Sequence, residues 1–357
     1  MKTYIKFLLN VFFISFCKVF FIFFGIILII NILEQVEFFK DTDINYLYLT
    51  FVSFLNTPSV LFEIFPFIFL ISTQIFFIKL IDSNELEIFK YSGLNNTNII
   101  KIVGSFTILF TTFLVFFFYN FSSLLKNNYL EIKNKYTNDN KYLAVINENG
   151  LWIKDIVDKK INIITANKIY NEFLLDTLIT QFDEDYNHIK TIESYKVDIS
   201  SNRWKLLNPY ISEKNVTTNS EAMYLTSNFD LKKINGLFSN LSSLTIFQLF
   251  KLRKSYQSLN YSLVEIDAHF YRIASYPLYL TLITILISII MLNISYQKNS
   301  LFKIIFGIFL SVIIYYINYF FNVLGTTEKI PLILSIFFPL IILLIINFTF
   351  ILRINEK

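Results

Sequence analysis

Apolar residues run almost without interruption from the start of the chain to Leu33. They recur in long stretches at roughly 58–80, 98–121, 270–296, 301–323 and 330–352. Each stretch exceeds the ~20 residues that cross ~30 Å of hydrocarbon. The pattern therefore predicts six spans, three on each side of a polar interval from about 124 to 265. The first run is far longer than the apolar core of a signal peptide and shows no small-residue cleavage site, so it reads as an anchor. Lys18 interrupts it and marks a join between an interfacial start and the first span.

Within the polar interval the period changes. β-branched and aromatic residues alternate with polar ones in short runs at 142–147, 150–155, 160–165, 174–182, 189–199 and 203–208. That is the spacing of half-buried strands. Tyr195, Val197 and Ile199 fall on one predicted face, and the run 183–187, Asp-Glu-Asp-Tyr-Asn, predicts a hairpin turn. Short strands punctuated by turns indicate an antiparallel, jelly-roll-like domain. After Thr226 the pattern turns helical, and 242–259 reads as an amphipathic helix returning to the membrane surface. The predicted fold is an α-helical membrane protein with six transmembrane helices and an extracytoplasmic all-β domain inserted between helices three and four. Its parts are 1–123 (spans one to three, with a short helix over 82–92), 124–240 (the β domain) and 241–357 (a connecting helix and spans four to six).

The stretch Asp82–Leu94 separates spans two and three. Asp82 is placed to cap a helix of about three turns with Glu85 at its third position. Leu86 and Phe89 share a face, and Gly93 offers a left-handed stop. Two readings fit, a solvated connector or a docking helix that takes force from a partner outside the membrane. Lys2, Lys6, Lys90, Lys101, Lys298, Lys303, Arg353 and Lys357 lie at the ends and loops of one side, whereas the other holds only Lys40 and Lys329 among Glu34, Glu37, Asp41, Asp43 and Glu328. The positive-inside rule puts both termini and the 82–94 helix in the cytoplasm, with the β domain outside. Pro58 and Pro331 suit first helical turns. Pro66, Pro277 and Pro339 should bend their helices, as a cavity wall or as ordinary bundle packing.

Composition narrows the chemistry. The chain is 54% hydrophobic and 18% aromatic, above the share of a soluble domain. One cysteine, Cys17, allows neither an intrachain disulfide nor a zinc cluster. A net charge of +4 is far from the basic face of a nucleic-acid binder. There are seven glycines, and the chain holds no P-loop, no HExxH and no GxSxG. His188 and His269 read as surface or interfacial residues. Few ionisable groups lie deep in a span, which argues against a proton- or ion-coupled pump. No catalytic residue, cofactor or metal site is predicted, so energy must enter from a partner.

Taken together these stretches resemble the LptF/LptG permeases of the lipopolysaccharide exporter. The resemblance rests on Ser-Asn-Glu-Leu-Glu-Ile-Phe-Lys-Tyr-Ser-Gly-Leu (83–94), which is similar to that family's coupling helix, on Phe65-Pro66, and on residues 307–339. The run Gly150, Leu151, Trp152, Ile153, Lys154, Asp155 resembles the LptG branch. The resemblance implies a non-catalytic permease subunit of the bacterial inner membrane. It would work with an LptF-like permease, a cytoplasmic LptB-like ABC ATPase dimer and a single-span periplasmic LptC-like subunit, with lipopolysaccharide as substrate. The lipid would leave the outer leaflet between the first span of one permease and the fifth of the other, and rise into a periplasmic jelly-roll bridge. In this chain Glu85 would contact the ATPase, and Leu86 and Phe89 would fill its groove ahead of Gly93. Ile26, Ile30, Lys40, Tyr316 and Phe320 would line the lipid path. The outer end of span one departs from the family's lysines, with Glu34, Glu37 and only Lys40, leaving Lys126 and Lys133 to supply charge. Alternatives are an LptF role, an ABC permease for another amphiphile, or a membrane-anchored scaffold that transports nothing.

Overall fold

A computed structural model of the protein describes residues 3–40, 45–136, 151–157, 160–170, 172–213, 216–229, 240–258, 263–293 and 300–353. These fall into two compact units, Met1–Lys126 with Val264–Lys357, and Asn127–Leu263. The first unit is helical. It contains α1 (Thr3–Phe38), α2 (Tyr46–Glu63), α3 (Phe65–Asp82), α4 (Glu85–Tyr91) and α5 (Asn96–Phe113). After a π-helical stretch Leu114–Tyr119 comes α6 (Asn120–Tyr136), of which the residues up to Lys126 belong to this unit and the rest to the second, and later α8 (Val264–Asn293), α9 (Ser300–Thr326) and α10 (Leu332–Arg353). Six of these segments are long and apolar enough to cross a membrane, as the hydrophobic pattern predicts. α1 passes Lys18 as a single uninterrupted helix.

The helices α3 and α8 form the centre of this unit. α3 packs against α1, α8 and α9, and α8 packs against α5 and α10 as well. Phe65, Phe69, Phe76, Phe77, Leu280 and Leu286 fill the space between them. Two prolines exchange the roles that the sequence suggests. Pro58 lies inside α2, whereas Pro66 opens α3 just after the break at Ile64. A proline lacks the N–H that would bond to the carbonyl four residues back, here that of Phe62. The Tyr276 hydroxyl of α8 donates to that carbonyl instead. The break between α2 and α3 is thus closed by a side chain from more than two hundred residues away.

The second unit is built on an eight-stranded antiparallel sheet. Its strands are β1 (Leu151–Val157), β2 (Lys160–Tyr170), β3 (Phe173–Phe182), β4 (His188–Asp198), β5 (Arg203–Leu207), β6 (Tyr210–Glu213), β7 (Val216–Asn219) and β8 (Ala222–Thr226). The order is β1-β2-β3-β4-β5-β8, with β6 and β7 branching from the far half of β4. Runs predicted at 150–155, 160–165, 174–182, 189–199 and 203–208 become β1 to β5. The run at 142–147 lies outside the described residues. The 183–187 turn forms as expected. The Asp183 carboxylate accepts from the Asn187 side chain and from the backbone N–H of Asn187 and Asp185. The Asn187 bonds hold its carboxyl below the usual aspartate range.

Tyr195 is a correction. Val197 and Ile199 are buried, but Tyr195 is 73% exposed. The buried set on β4 passes from Ile192 and Ser194 to Val197, and on β3 from Leu174 to Thr177. Asp176 on β3 has a φ of 50°, in the left-handed region. The pairing steps over it on both sides. At the level of this left-handed residue the alternation shifts on both β3 and β4, and Tyr195, opposite Asp176, faces outward.

The two ends of the strand path meet. The Asp155 carboxylate on β1, itself buried, accepts from the Ser227 hydroxyl and from the Asn228 backbone and side-chain N–H groups, just beyond β8. Trp204 Nε1 donates to the Phe229 carbonyl. Ile153, Ile164, Ile179, Ile192, Val197 and Trp204 fill the space enclosed. In the same unit, α7 (Ile246–Ser258) starts with Thr245 and Gln248 satisfying each other's backbone N–H groups, a capping box.

Candidate functional site

The features that set this protein apart are surfaces rather than a pocket. On α1, Leu8, Phe12, Phe16, Val19, Ile27, Asn31 and Gln35 face the unit's interior. Ile22, Ile26, Ile29, Ile30 and Leu33 are exposed. Both sets repeat at three and four residues, so they are opposite faces of one helix. On α9 only a narrow seam is covered, with Gly307, Ile314 and Gly325 buried. Ile305, Phe309, Tyr316, Phe320 and Val323 are all exposed. The four apolar residues singled out on these helices, Ile26, Ile30, Tyr316 and Phe320, lie on these uncovered faces. Lys40 is exposed just beyond the end of α1.

The inner face of α1 is fastened by polar bonds. Asn31 Nδ2 donates to Thr57 Oγ1 at 3.0 Å, and Asn56 Nδ2 donates to Asn31 Oδ1 at 3.2 Å. All three are buried. α9, by contrast, meets its neighbours through close backbone approach. A Cβ on Gly307 would collide with the Gln74 side-chain amide of α3, and one on Gly325 would stand 2.5 Å from Ser335 Cβ of α10. Sequence pattern alone misses both devices, because Asn and Gly in an apolar run do not say which neighbour they meet.

The short helix α4 differs from its prediction. α3 continues through Asp82, so Asp82 ends a helix instead of capping one. Asn84, with φ 55°, turns the chain, and α4 spans only seven residues from Glu85. Gly93, φ 83°, stops it as predicted. The Leu94 N–H bonds to the Phe89 carbonyl and the Gly93 N–H to that of Lys90, the pattern of a Schellman cap. Leu86 is 2% exposed and packs into the core, and Phe89 meets Phe7 of α1 with ring centroids 5.9 Å apart. These two side chains, expected to fill a partner's groove, are occupied within their own chain. The outward positions are Ile88, 60% exposed, and Tyr91, 89% exposed, with Glu87 and Lys90 beside them. Glu85 Oε2 is buried with no hydrogen-bond partner among the described residues.

A polar group gathers where the π-helical stretch ends. Tyr119 Oη lies 2.9 Å from His269 Nε2, Arg272 lies 3.4 Å from His269 Nδ1, and Lys126 pairs with Glu63 at 3.9 Å. Because guanidinium can only donate, Nδ1 accepts and Nε2 carries the proton toward Tyr119. His269 is held between Tyr119 and Arg272. Lys126 is paired, and Lys133, buried, lies over the Tyr129 ring at 5.2 Å. In the β domain, Asp155 is the clasp described above, and Trp152 and Lys154 lie on the same strand. Gly150 lies outside the described residues. Among the described residues no three His, Cys, Asp or Glu side chains group as a metal site requires.

Comparison with curated proteins finds none that matches the chain. A family model described as "Lipopolysaccharide export system permease LptF/LptG" matches residues 6–353.

Proposed function

The chain belongs to the LptF/LptG family of lipopolysaccharide export permeases, and from that premise we propose that it forms one permease half of an ABC-type exporter. In this reading it lifts lipopolysaccharide from the outer leaflet of the inner membrane and passes it to a periplasmic β-domain bridge. A separate LptB-like ATPase dimer supplies the energy, and an LptF-like permease and a single-span LptC-like subunit complete the assembly. We place this chain in the LptG role on the run from Gly150 to Asp155. Both termini and α4 face the cytoplasm, and the β domain faces the periplasm.

The observation that carries the reading is the pair of uncovered apolar faces on α1 and α9. Acyl chains need an apolar wall, and a wall that the chain does not cover is free to meet lipid. Ile26 and Ile30 supply one wall and Tyr316 and Phe320 the other, with Lys40 at the outer end. At α4, Glu85, Leu86, Phe89 and Gly93 hold the helix against its own chain, while Ile88 and Tyr91 meet the ATPase. Motion of the ATPase then reaches α3 and α1 through Leu86 and the Phe89–Phe7 contact.

The test is an in vivo photo-crosslinking scan along residues 22–37 and 308–322, read for lipid adducts. Adducts are expected at Ile22, Ile26, Ile30, Tyr316 and Phe320 and not at Ile27, Asn31 or Ile314. Adducts spread evenly around both helices would refute the wall assignment. Ile88→Ala with Tyr91→Ala should strip an ATPase from the purified complex while leaving membrane insertion intact. A scaffold that transports nothing predicts no effect of that pair.

A further inference from the structure

The helix α7 carries two unlike faces. Leu249 and Leu252 are buried on one. On the other, Phe247, 77% exposed, Phe250, Lys251 and Lys254 follow at spacings of three and four, forming a single stripe. No acidic residue occurs between Ile246 and Ser258, whereas Lys251, Arg253 and Lys254 are basic. Two exposed phenylalanines followed by two lysines on the same stripe are not a core fragment, because the core side is already filled by leucine. Five residues separate Ser258 from Val264, where a membrane-crossing helix begins. The chain can span at most about 20 Å over that distance, so the bilayer surface lies within reach.

We propose that α7 is an interfacial helix that binds the lipid surface. Phe247 and Phe250 enter the boundary between headgroups and acyl chains, and Lys251 and Lys254 stand at the lipid phosphates. Aromatic and basic residues sharing one exposed face are what such a surface recognises, with apolar burial and anionic attraction adding together. The occupant is the membrane lipid itself. A protein covering the same stripe would need acidic groups facing the lysines, and it becomes an outcome of the test. This inference rests on the membrane spans alone, so it stands or falls separately from the export reading.

The test uses the full chain with Cys17→Ser, which removes the native cysteine, and single nitroxide labels at Phe247→Cys or Phe250→Cys. Labels at Ile345→Cys on α10 and Tyr195→Cys on β4 serve as membrane and water references. In bilayers of phosphatidylethanolamine and phosphatidylglycerol, collisions with oxygen and with a water-soluble nickel chelate are measured. The oxygen-to-nickel ratio at 247 and 250 should lie severalfold above that at 195 and approach that at 345. Lys251→Glu with Lys254→Glu should lower it. A ratio at 247 equal to that at 195 overturns the proposal. So does shielding from both reagents, which would mean that protein covers the face.

Discussion

The two central helices and the two peripheral ones invert what a soluble protein teaches. About 67% of the span residues of α3 and of α8 are buried, against 22% in α1 and 12% in α9. Yet α3 and α8 carry Ser72, Thr73 and Gln74, and Thr281, Thr284 and Ser288, all buried, just as the covered face of α1 carries Ser15, Asn31 and Gln35. The hydroxyls among the six on α3 and α8 each donate to a carbonyl four residues back. The uncovered faces of α1 and α9 hold mainly Ile, Leu, Phe and Tyr. Lipid tails are as apolar as leucine, so apolar character does not drive a helix inward in a bilayer, and small or self-satisfied side chains that let helices approach do. The covered faces therefore serve as the frame, and the uncovered apolar faces as its walls.

The sharpest way to break this contrast is to hollow the frame. Phe69→Ala removes a fully buried ring that touches Phe16, Phe65 and Phe110. The expected loss is about 3–5 kcal/mol, measured by thermal unfolding of the purified chain in detergent. A loss near zero would mean that α3 is no frame at all. The next test wedges the seam of α9. In Gly325→Ala the new methyl would meet Ser335 Cβ, which cannot rotate away, so about 1–3 kcal/mol is expected. Gly25→Ala on α1 has open space around it and should instead gain a few tenths to about 1 kcal/mol from helix propensity.

Much of this frame was legible in advance, and the misses share a cause. The six spans and five of the strands follow from hydrophobic period, and Gly93 from the left-handed stop that a short helix needs. What period could not supply was the identity of the neighbour. Pro58 and Pro66 look alike in an apolar run until Tyr276 is found bonding the carbonyl that Pro66 leaves free. Leu86 and Phe89 share a helical face as predicted, but that face turns toward α1 rather than outward. Tyr195 follows the alternation of its own strand in sequence, but that alternation shifts opposite a left-handed residue on the next strand. The candidate wall residues Ile26, Ile30, Tyr316 and Phe320 came from a family resemblance, and their exposure is a fact of packing that the run of apolar residues does not contain.

A smaller effect separates the two peripheral helices from each other. α1 is fastened by the Asn31, Asn56 and Thr57 bonds, and α9 by close backbone contact. Asn31→Leu should cost about 0.6 kcal/mol per bond, the average for hydrogen bonds between membrane helices, and no more than about 1.7 kcal/mol for either. It should also raise the labelling rate of a cysteine placed at the buried Ser53, one turn from Thr57 on α2, in a Cys17→Ser background. The same substitution should leave labelling on α9 unchanged. Movement of both helices together would show that the two walls are one mechanical element.

The smallest expected effect on stability belongs to the walls themselves, and it discriminates best. Ile30→Ala and Phe320→Ala each shorten a side chain on an uncovered face, where the lost contacts are with lipid or detergent rather than protein. Refilling by another acyl chain leaves no cavity, so unfolding should shift by no more than about 0.5 kcal/mol. On the proposed export path the same truncations remove the surface along which the lipid slides. Lipid adducts at the neighbouring positions Ile26 and Tyr316 should then fall while the amount of folded chain in the membrane stays constant. A stability loss of about 2 kcal/mol or more in either variant would mean that the face is packed against protein after all. The division between frame and wall would then fail at the residue on which it was drawn.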